Sequence, residues 1–149
     1  MGEDPKKIIC LADDDEDDRM LLHEALLELG QPFKIFELCS AQQLIDHSCK
    51  LGEWSADFIF VDLYMPGMDG FECIERLKSM AFSGGGTRII AYSIDGSQET
   101  MRKAFAVGAD FYAVKPSSYA DLRTLVRTVM QASWEDLEPG QRIFDMRRL

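Results

Sequence analysis

Apolar and polar positions fall in blocks along the chain, and the blocks change period. Ile8-Ile9-Cys10-Leu11-Ala12 is a short apolar run bounded by charge, as expected of a buried strand. Leu22, Leu26 and Leu29 then recur at helical spacing until Gly30, which predicts a helix that starts within the acidic stretch 13–18. Acids in that first turn are favoured by the helix dipole. A second strand is expected over 33–38, then a helix from an N-capping Ser40 to about Leu51. Trp54-Ser55-Ala56 reads as a loop. Asp57-Phe58-Ile59-Phe60-Val61-Asp62 is the clearest buried strand, and the turn-rich Met65-Pro66-Gly67-Met68-Asp69-Gly70 leads into a helix from Phe71 to about Met80.

Gly84-Gly85-Gly86 predicts a flexible connection. Arg88 to Tyr92 is the fourth strand, and a helix from about Ser97 to Val107 stops at Gly108. Asp110 to Val114 is the fifth strand, Lys115-Pro116 ends it, and a helix runs from Ser117 or Ser118 to about Ser133. Five strands alternating with five helices predict an α/β fold, a doubly wound parallel sheet covered on both faces. Right-handed crossovers make 2-1-3-4-5 the natural strand order. Residues 1–133 are expected to form one domain. Residues 134–149 are expected to be a loose tail or a short extra helix, with no separate output domain.

Composition narrows the class. A chain of 149 residues with 46% apolar and 28% charged residues is that of a globular domain with a sizeable core. No stretch of about 20 apolar residues offers a membrane span, and the start of the chain lacks the apolar segment of a secretory signal. The expected compartment is the cytosol. A net charge of −10 argues against a nucleic-acid surface. Cys10, Cys39, Cys49 and Cys73 form no C-x-x-C pair and are expected to be mostly buried, reduced thiols. His23 and His47 lie on predicted helices away from the strand ends, and Met65, Met68 and Met80 read as packing residues.

Ligands of open parallel sheets collect at the carboxyl ends of the strands. Those ends carry Asp13, Asp14 and Asp15 after the first strand, Asp62 at the third, Ser93 at the fourth and Lys115 at the fifth. Clustered carboxylates repel one another, and a hard divalent cation such as Mg²⁺ relieves the repulsion through oxygen ligands. Beside such a cation Asp62 can act as a nucleophile toward a phosphoryl group. Lys115 offers a cation and Ser93 a hydroxyl to the phosphoryl oxygens, and phosphoryl transfer needs little beyond placement and charge neutralisation. Asp17 and Asp18 read as a solvated helix start.

The fragments Leu11-Ala12-Asp13-Asp14-Asp15, 61–70 (Val61-Asp62-Leu63-Tyr64-Met65-Pro66-Gly67-Met68-Asp69-Gly70), Ala91-Tyr92-Ser93 and 108–116 stand in order, each at a strand's end. Over about 7–132 the chain thereby resembles a response-regulator receiver domain of the stand-alone chemotaxis type, which has the flavodoxin-like fold. The resemblance implies that Asp62 is the phosphoacceptor and that Mg²⁺ or Mn²⁺ is the cofactor. Asp14 would ligate directly, Asp13 through water, and Tyr64 through its backbone carbonyl. It makes Ser93 the switch hydroxyl, Lys115 its partner, and Tyr112 a switch aromatic that turns inward. Pro116 would follow a cis peptide bond. The implied partner is a histidine kinase or phosphotransfer protein, with no nucleic acid and no membrane. The output face would be the fourth helix, fifth strand and fifth helix. Tyr64 and Ile94 are bulkier than is common at their positions, with consequences expected for water access and phosphoryl lifetime. The acidic run 13–18 together with Lys115-Pro116-Ser117-Ser118 is similar to regulators associated with bacteriophytochromes, which implies a possible homodimer.

Two other functions fit parts of the pattern. Asp13-x-Asp15 satisfies the aspartate-nucleophile phosphatase signature, but the chain is short for that class. A receiver used only for docking needs none of the site residues, all of which are present.

Overall fold

The computed structural model describes residues 7–50, 56–80, 86–132, 134–138 and 141–148. The apolar runs form strands β1 (Lys7–Ala12), β2 (Phe33–Leu38), β3 (Phe58–Asp62), β4 (Arg88–Ser93) and β5 (Phe111–Val114). The periodic segments form helices α1 (Glu16–Leu27), α2 (Ala41–Lys50), α3 (Gly70–Ser79), α4 (Gln98–Ala106) and α5 (Tyr119–Gln131). The loop expected at 54–56 and the glycine run lie outside the described residues except for Ala56 and Gly86.

The helix starts follow from local chemistry. Asp15, Asp69, Ser97 and Ser118 each accept a hydrogen bond from the backbone N–H three residues on, and the Ser40 hydroxyl does the same for Gln43. These side chains satisfy donors that the first turn leaves unpaired. Asp15 is thereby committed to capping α1.

All strand pairs are parallel, in the order β2-β1-β3-β4-β5-β6. The sheet therefore has six strands rather than the expected five. The sixth, β6 (Ile143–Phe144), comes from the segment expected to be a loose tail or short helix. Beside it that segment forms short 3-10 turns at Trp134–Asp136 and Met146–Arg148. Ile143 and Phe144 point to opposite faces of the sheet and join opposite cores, and the Phe144 ring meets Phe111 edge-on at 5.5 Å. Pairing with β6 covers the outer edge of β5. A second correction concerns Pro116: no cis peptide bond occurs among the described residues, so Lys115-Pro116 is trans.

The period-2 alternation of buried strands divides the core in two. Cys10, Ala12, Ile59 and Val61 pack with Leu44, Ile74, Leu77 and Met101 beneath α2, α3 and α4. Ile9, Leu11, Phe58 and Phe60 pack with Leu22, Leu26, Leu125 and Val129 beneath α1 and α5. Cys10 and Cys73 are buried free thiols, each pushed up to about 12 by burial, whereas Cys39 is exposed. Met65 is buried, and Met68 and Met80 pack on the same core. His23 Nδ1 lies 2.8 Å from Glu37 Oε2, and His47 packs on Phe36. Both histidines thus have contacts on helix surfaces.

Candidate phosphoacceptor site

The ladder β1-β3-β4-β5 brings the carboxyl ends of four strands to one rim. Asp62 is the last residue of β3, in register with Tyr92, and Asp13 follows β1 with its N–H donating to Leu38. The rim is held tightly beneath Asp62. Gly70, at the start of α3, donates its N–H to the Leu63 carbonyl, and a Cβ there would run into the Asp62 carbonyl oxygen and the Leu63 Cα. Gly67 takes the left-handed conformation, with φ of 79°, in the loop between them.

Asp13, Asp14 and Asp62 each present a carboxylate oxygen within 4.8 Å of the others. Oxygens on a Mg²⁺ octahedron lie about 3 Å apart when adjacent and about 4.2 Å apart when opposite, so the three carboxylates lie within reach of one such ion. Hard carboxylate oxygens are the donors that Mg²⁺ prefers, and the residues present fit it. Asp13 and Asp62 are buried, while Asp14 is exposed.

Lys115 Nζ reaches into this group from the end of β5. It lies 2.9 Å from Asp13 Oδ2, 3.0 Å from Asp18 Oδ2 and 3.1 Å from Asp62 Oδ2. Each carboxylate of the buried pair is held at its other oxygen by a backbone N–H, Asp15 to Asp13 Oδ1 and Tyr64 to Asp62 Oδ1. Burial pushes the Asp13 carboxyl above its ordinary value, despite the opposing pull of Lys115. Burial alone would lower Lys115, but its carboxylate neighbours more than offset that and raise it.

Ser93 is buried and its Oγ accepts the Asp95 N–H at 3.1 Å. Its carbonyl accepts the Lys115 N–H, which locks the ends of β4 and β5 together. Tyr112 is fully buried, already turned inward, and its hydroxyl donates to the Asp95 carbonyl. Burial pushes that phenol up to about 12. The Tyr64 ring stands half exposed against Phe71, and its hydroxyl donates to Asp95 Oδ2 at 2.9 Å. Asp95 also receives Ser97 N–H and the Thr100 hydroxyl, and these donors hold its carboxyl below the usual range. Ile94 is 75% exposed and lines a cleft of about 340 Å³ with Val114, Pro116 and Met146.

The sequence reading thus placed Asp13, Asp14, Asp62, Ser93 and Lys115 at one rim, and the structure brings them together. It missed two residues. Asp18, expected as part of a solvated helix start, pairs with Lys115. Asp95, which carries no expectation from sequence, joins Tyr64, Ser93, Thr100 and Tyr112. A helix-period argument gives a signal for Asp18: it lies one turn beyond Asp15, the N-cap of α1. Nothing in the sequence marks Asp95.

Fold and site together define a class. Residues 9–127 match the family described as response regulator receiver domain, and the chain belongs to that family. Within it the chain is of the chemotaxis type. It is 32% identical over 126 residues to the chemotaxis protein CheY of Halobacterium salinarum, covering 85% of this chain and 98% of that protein. It is also 34% identical over 115 residues to the sensory/regulatory protein RpfC of Xanthomonas campestris pv. campestris, covering 76% of this chain but only 15% of that longer protein. Among solved structures, the phosphorylated cyanobacterial phytochrome response regulator RcpA superposes with a TM-score of 0.76 at 20% identity, covering 89% of this chain and 96% of that one. Among the described residues, no helix is long and apolar enough to cross a membrane.

Proposed function

We propose that this domain accepts a phosphoryl group on Asp62 from a phosphohistidine of a partner kinase or phosphotransfer protein and relays the event to a protein partner. The observation that carries this reading is the meeting of Asp62 with Asp13, Asp14 and Lys115 at the carboxyl end of the sheet. An Asp62 carboxylate oxygen attacks phosphorus, the phosphorus–nitrogen bond of the donor breaks, and the imidazole leaves. Asp13 and Asp14, with Asp62 and the Tyr64 carbonyl, would hold a Mg²⁺ or Mn²⁺ ion, which when bound neutralises charge on the phosphoryl oxygens. Lys115 supplies an ammonium to the same oxygens. Ser93 turns to donate its hydroxyl proton to a phosphoryl oxygen and in moving releases the Asp95 N–H, which loosens the loop that also anchors Tyr64 and Tyr112. The domain assists its own phosphorylation and dephosphorylation and turns over no separate substrate.

The readout in this reading is α4, β5 and α5, within a receiver unit expected at 1–133 and extended by β6 (Ile143–Phe144) in the same sheet. Because β6 covers the β5 edge, a partner or a second copy docks on the flanking helices or over β6. The acidic cluster, the family membership and the phosphorylated state of RcpA support the proposal, and a cytosolic site of action accords with it. The test is acetyl phosphate with Mg²⁺, read by intact mass. A gain of about 80 Da in the wild type that is absent in Asp62→Asn supports the proposal. An equal gain in both proteins overturns the site.

A further inference from the structure

An ammonium has three protons and no acceptor. In Lys115 all three are taken, by Asp13, Asp18 and Asp62, at 2.9, 3.0 and 3.1 Å. Two of these acceptors are committed elsewhere in the proposed reaction. Asp13 and Asp62 belong to the three-carboxylate group that fits a cation, and Asp62 is also the atom donor to phosphorus. Asp18 does not belong to that group. It stands on the first turn of α1, where its own N–H is fixed by the Asp15 cap, and its carboxylate is 39% exposed.

The β1–α1 loop that leads into this turn is itself pinned. Arg19 Nη1 donates to the Asp13 carbonyl at 2.7 Å, and Arg19 Nε reaches Glu37 across the loop. The backbone position of Asp18 is therefore set by the Asp15 cap and by Arg19, whose partners are the Asp13 carbonyl and Glu37 rather than any of the carboxylates around Lys115. A lysine stem, by contrast, has four rotatable carbons and loses much rotamer freedom when its head is held.

We propose that Asp18 is a positioning residue for Lys115. It retains one N–H of the ammonium when Asp13 and Asp62 are engaged with cation and phosphoryl group, and so aims the other two at the phosphoryl oxygens. This rests on the function proposed above and deepens it. The opposite role is physically distinct: an Asp18 that competed with the phosphoryl group for Lys115 would weaken anion binding.

The experiment measures calorimetric affinity for beryllofluoride, a phosphoryl mimic, in saturating Mg²⁺. Asp18→Ala is expected to bind about tenfold more weakly, the equivalent of one hydrogen bond to a charged group. Asp18→Asn, which keeps an acceptor oxygen, is expected to fall in between. A Lys115→Met background supplies a readout that a merely structural role would not move, since Asp18→Ala then adds nothing further. In the metal-free protein, the ¹⁵N-attached ammonium signal of Lys115 is expected to broaden or vanish on Asp18→Ala as its protons exchange faster. Equal or tighter binding by Asp18→Ala, or an undiminished effect in the Lys115→Met background, overturns the proposal. Failure of the wild type to bind beryllofluoride at all counts instead against the function itself.

Discussion

Replacing Lys115 by Met keeps most of the stem's volume and removes one charge. In the native protein that charge faces two carboxylates whose side chains are only 5% and 9% exposed, Asp13 and Asp62, and a third, Asp18, that is 39% exposed. Breaking one buried ion pair costs about 3–5 kcal/mol, because the partner charge stays buried and uncompensated. The partly exposed Asp18 pair adds little, as water screens it. Losing both buried pairs does not double the cost, since one carboxyl can take up a proton and relieve the repulsion. The expected loss at neutral pH is therefore about 3–5 kcal/mol, measured by urea or thermal unfolding without divalent cation. For a domain of this size that corresponds to a fall in Tm of roughly 10 °C.

The sign of the pH dependence follows from Asp13. Burial already raises its pKa in the folded protein, and Lys115 pulls it down. Without Lys115 it rises further. A carboxyl whose folded pKa lies above its unfolded value contributes stability below the unfolded value and loses it as pH rises through the folded one. The deficit of the variant is thus expected to be larger at about pH 8 than at about pH 5. Adding Asp13→Asn to Lys115→Met is expected to recover part of the loss. A Lys115→Met protein as stable as the wild type, or a deficit that does not change between these pH values, refutes the reasoning.

Other outcomes follow from the same geometry. Gly70→Ala places a methyl group against the Asp62 carbonyl and Leu63 Cα, backbone atoms with nowhere to rotate, so it is expected to cost about 2 kcal/mol in urea unfolding and to slow phosphorylation. Tyr64→Phe removes the hydroxyl that ties Asp95 to the mouth of the site; stability should change by no more than about 1 kcal/mol, while the phosphorylated protein decays faster, and an unchanged decay rate would speak against that tie. Phe144→Ala removes the ring that packs on Phe111 and is expected to cost about 2 kcal/mol, with faster hydrogen exchange at the Tyr112 amide, which donates to the Arg142 carbonyl.

The parallel sheet was legible because its strands are buried on both faces and read as unbroken apolar runs, as in 58–62. The capping residues Ser40, Ser97 and Ser118 marked helix starts to within a residue. β6 was not legible. A two-residue strand has no period, and Ile143-Phe144 becomes a strand only because β5 offers it an edge and Phe111 a surface. The site divides in the same way. Asp13, Asp62, Ser93 and Lys115 sit at strand ends, so topology alone gathers them. Asp18 and Asp95 act through side-chain reach across the rim, to Lys115 and to Tyr64; one helical turn from the Asp15 cap hints at the first, and residue spacing has no counterpart for the second. The trans bond before Pro116 is the opposite of the cis bond that the resemblance implied.

The central claim is that Asp62 itself carries the phosphoryl group. Borohydride reduces an acyl phosphate to an alcohol, so a phosphorylated aspartate becomes homoserine and stays marked through proteolysis. After acetyl phosphate and Mg²⁺, then borohydride and peptide sequencing by mass spectrometry, homoserine is expected at position 62 and at no other aspartate. Homoserine at Asp13, Asp14 or Asp18, or an unmodified Asp62 beside a modified residue elsewhere, would contradict the account.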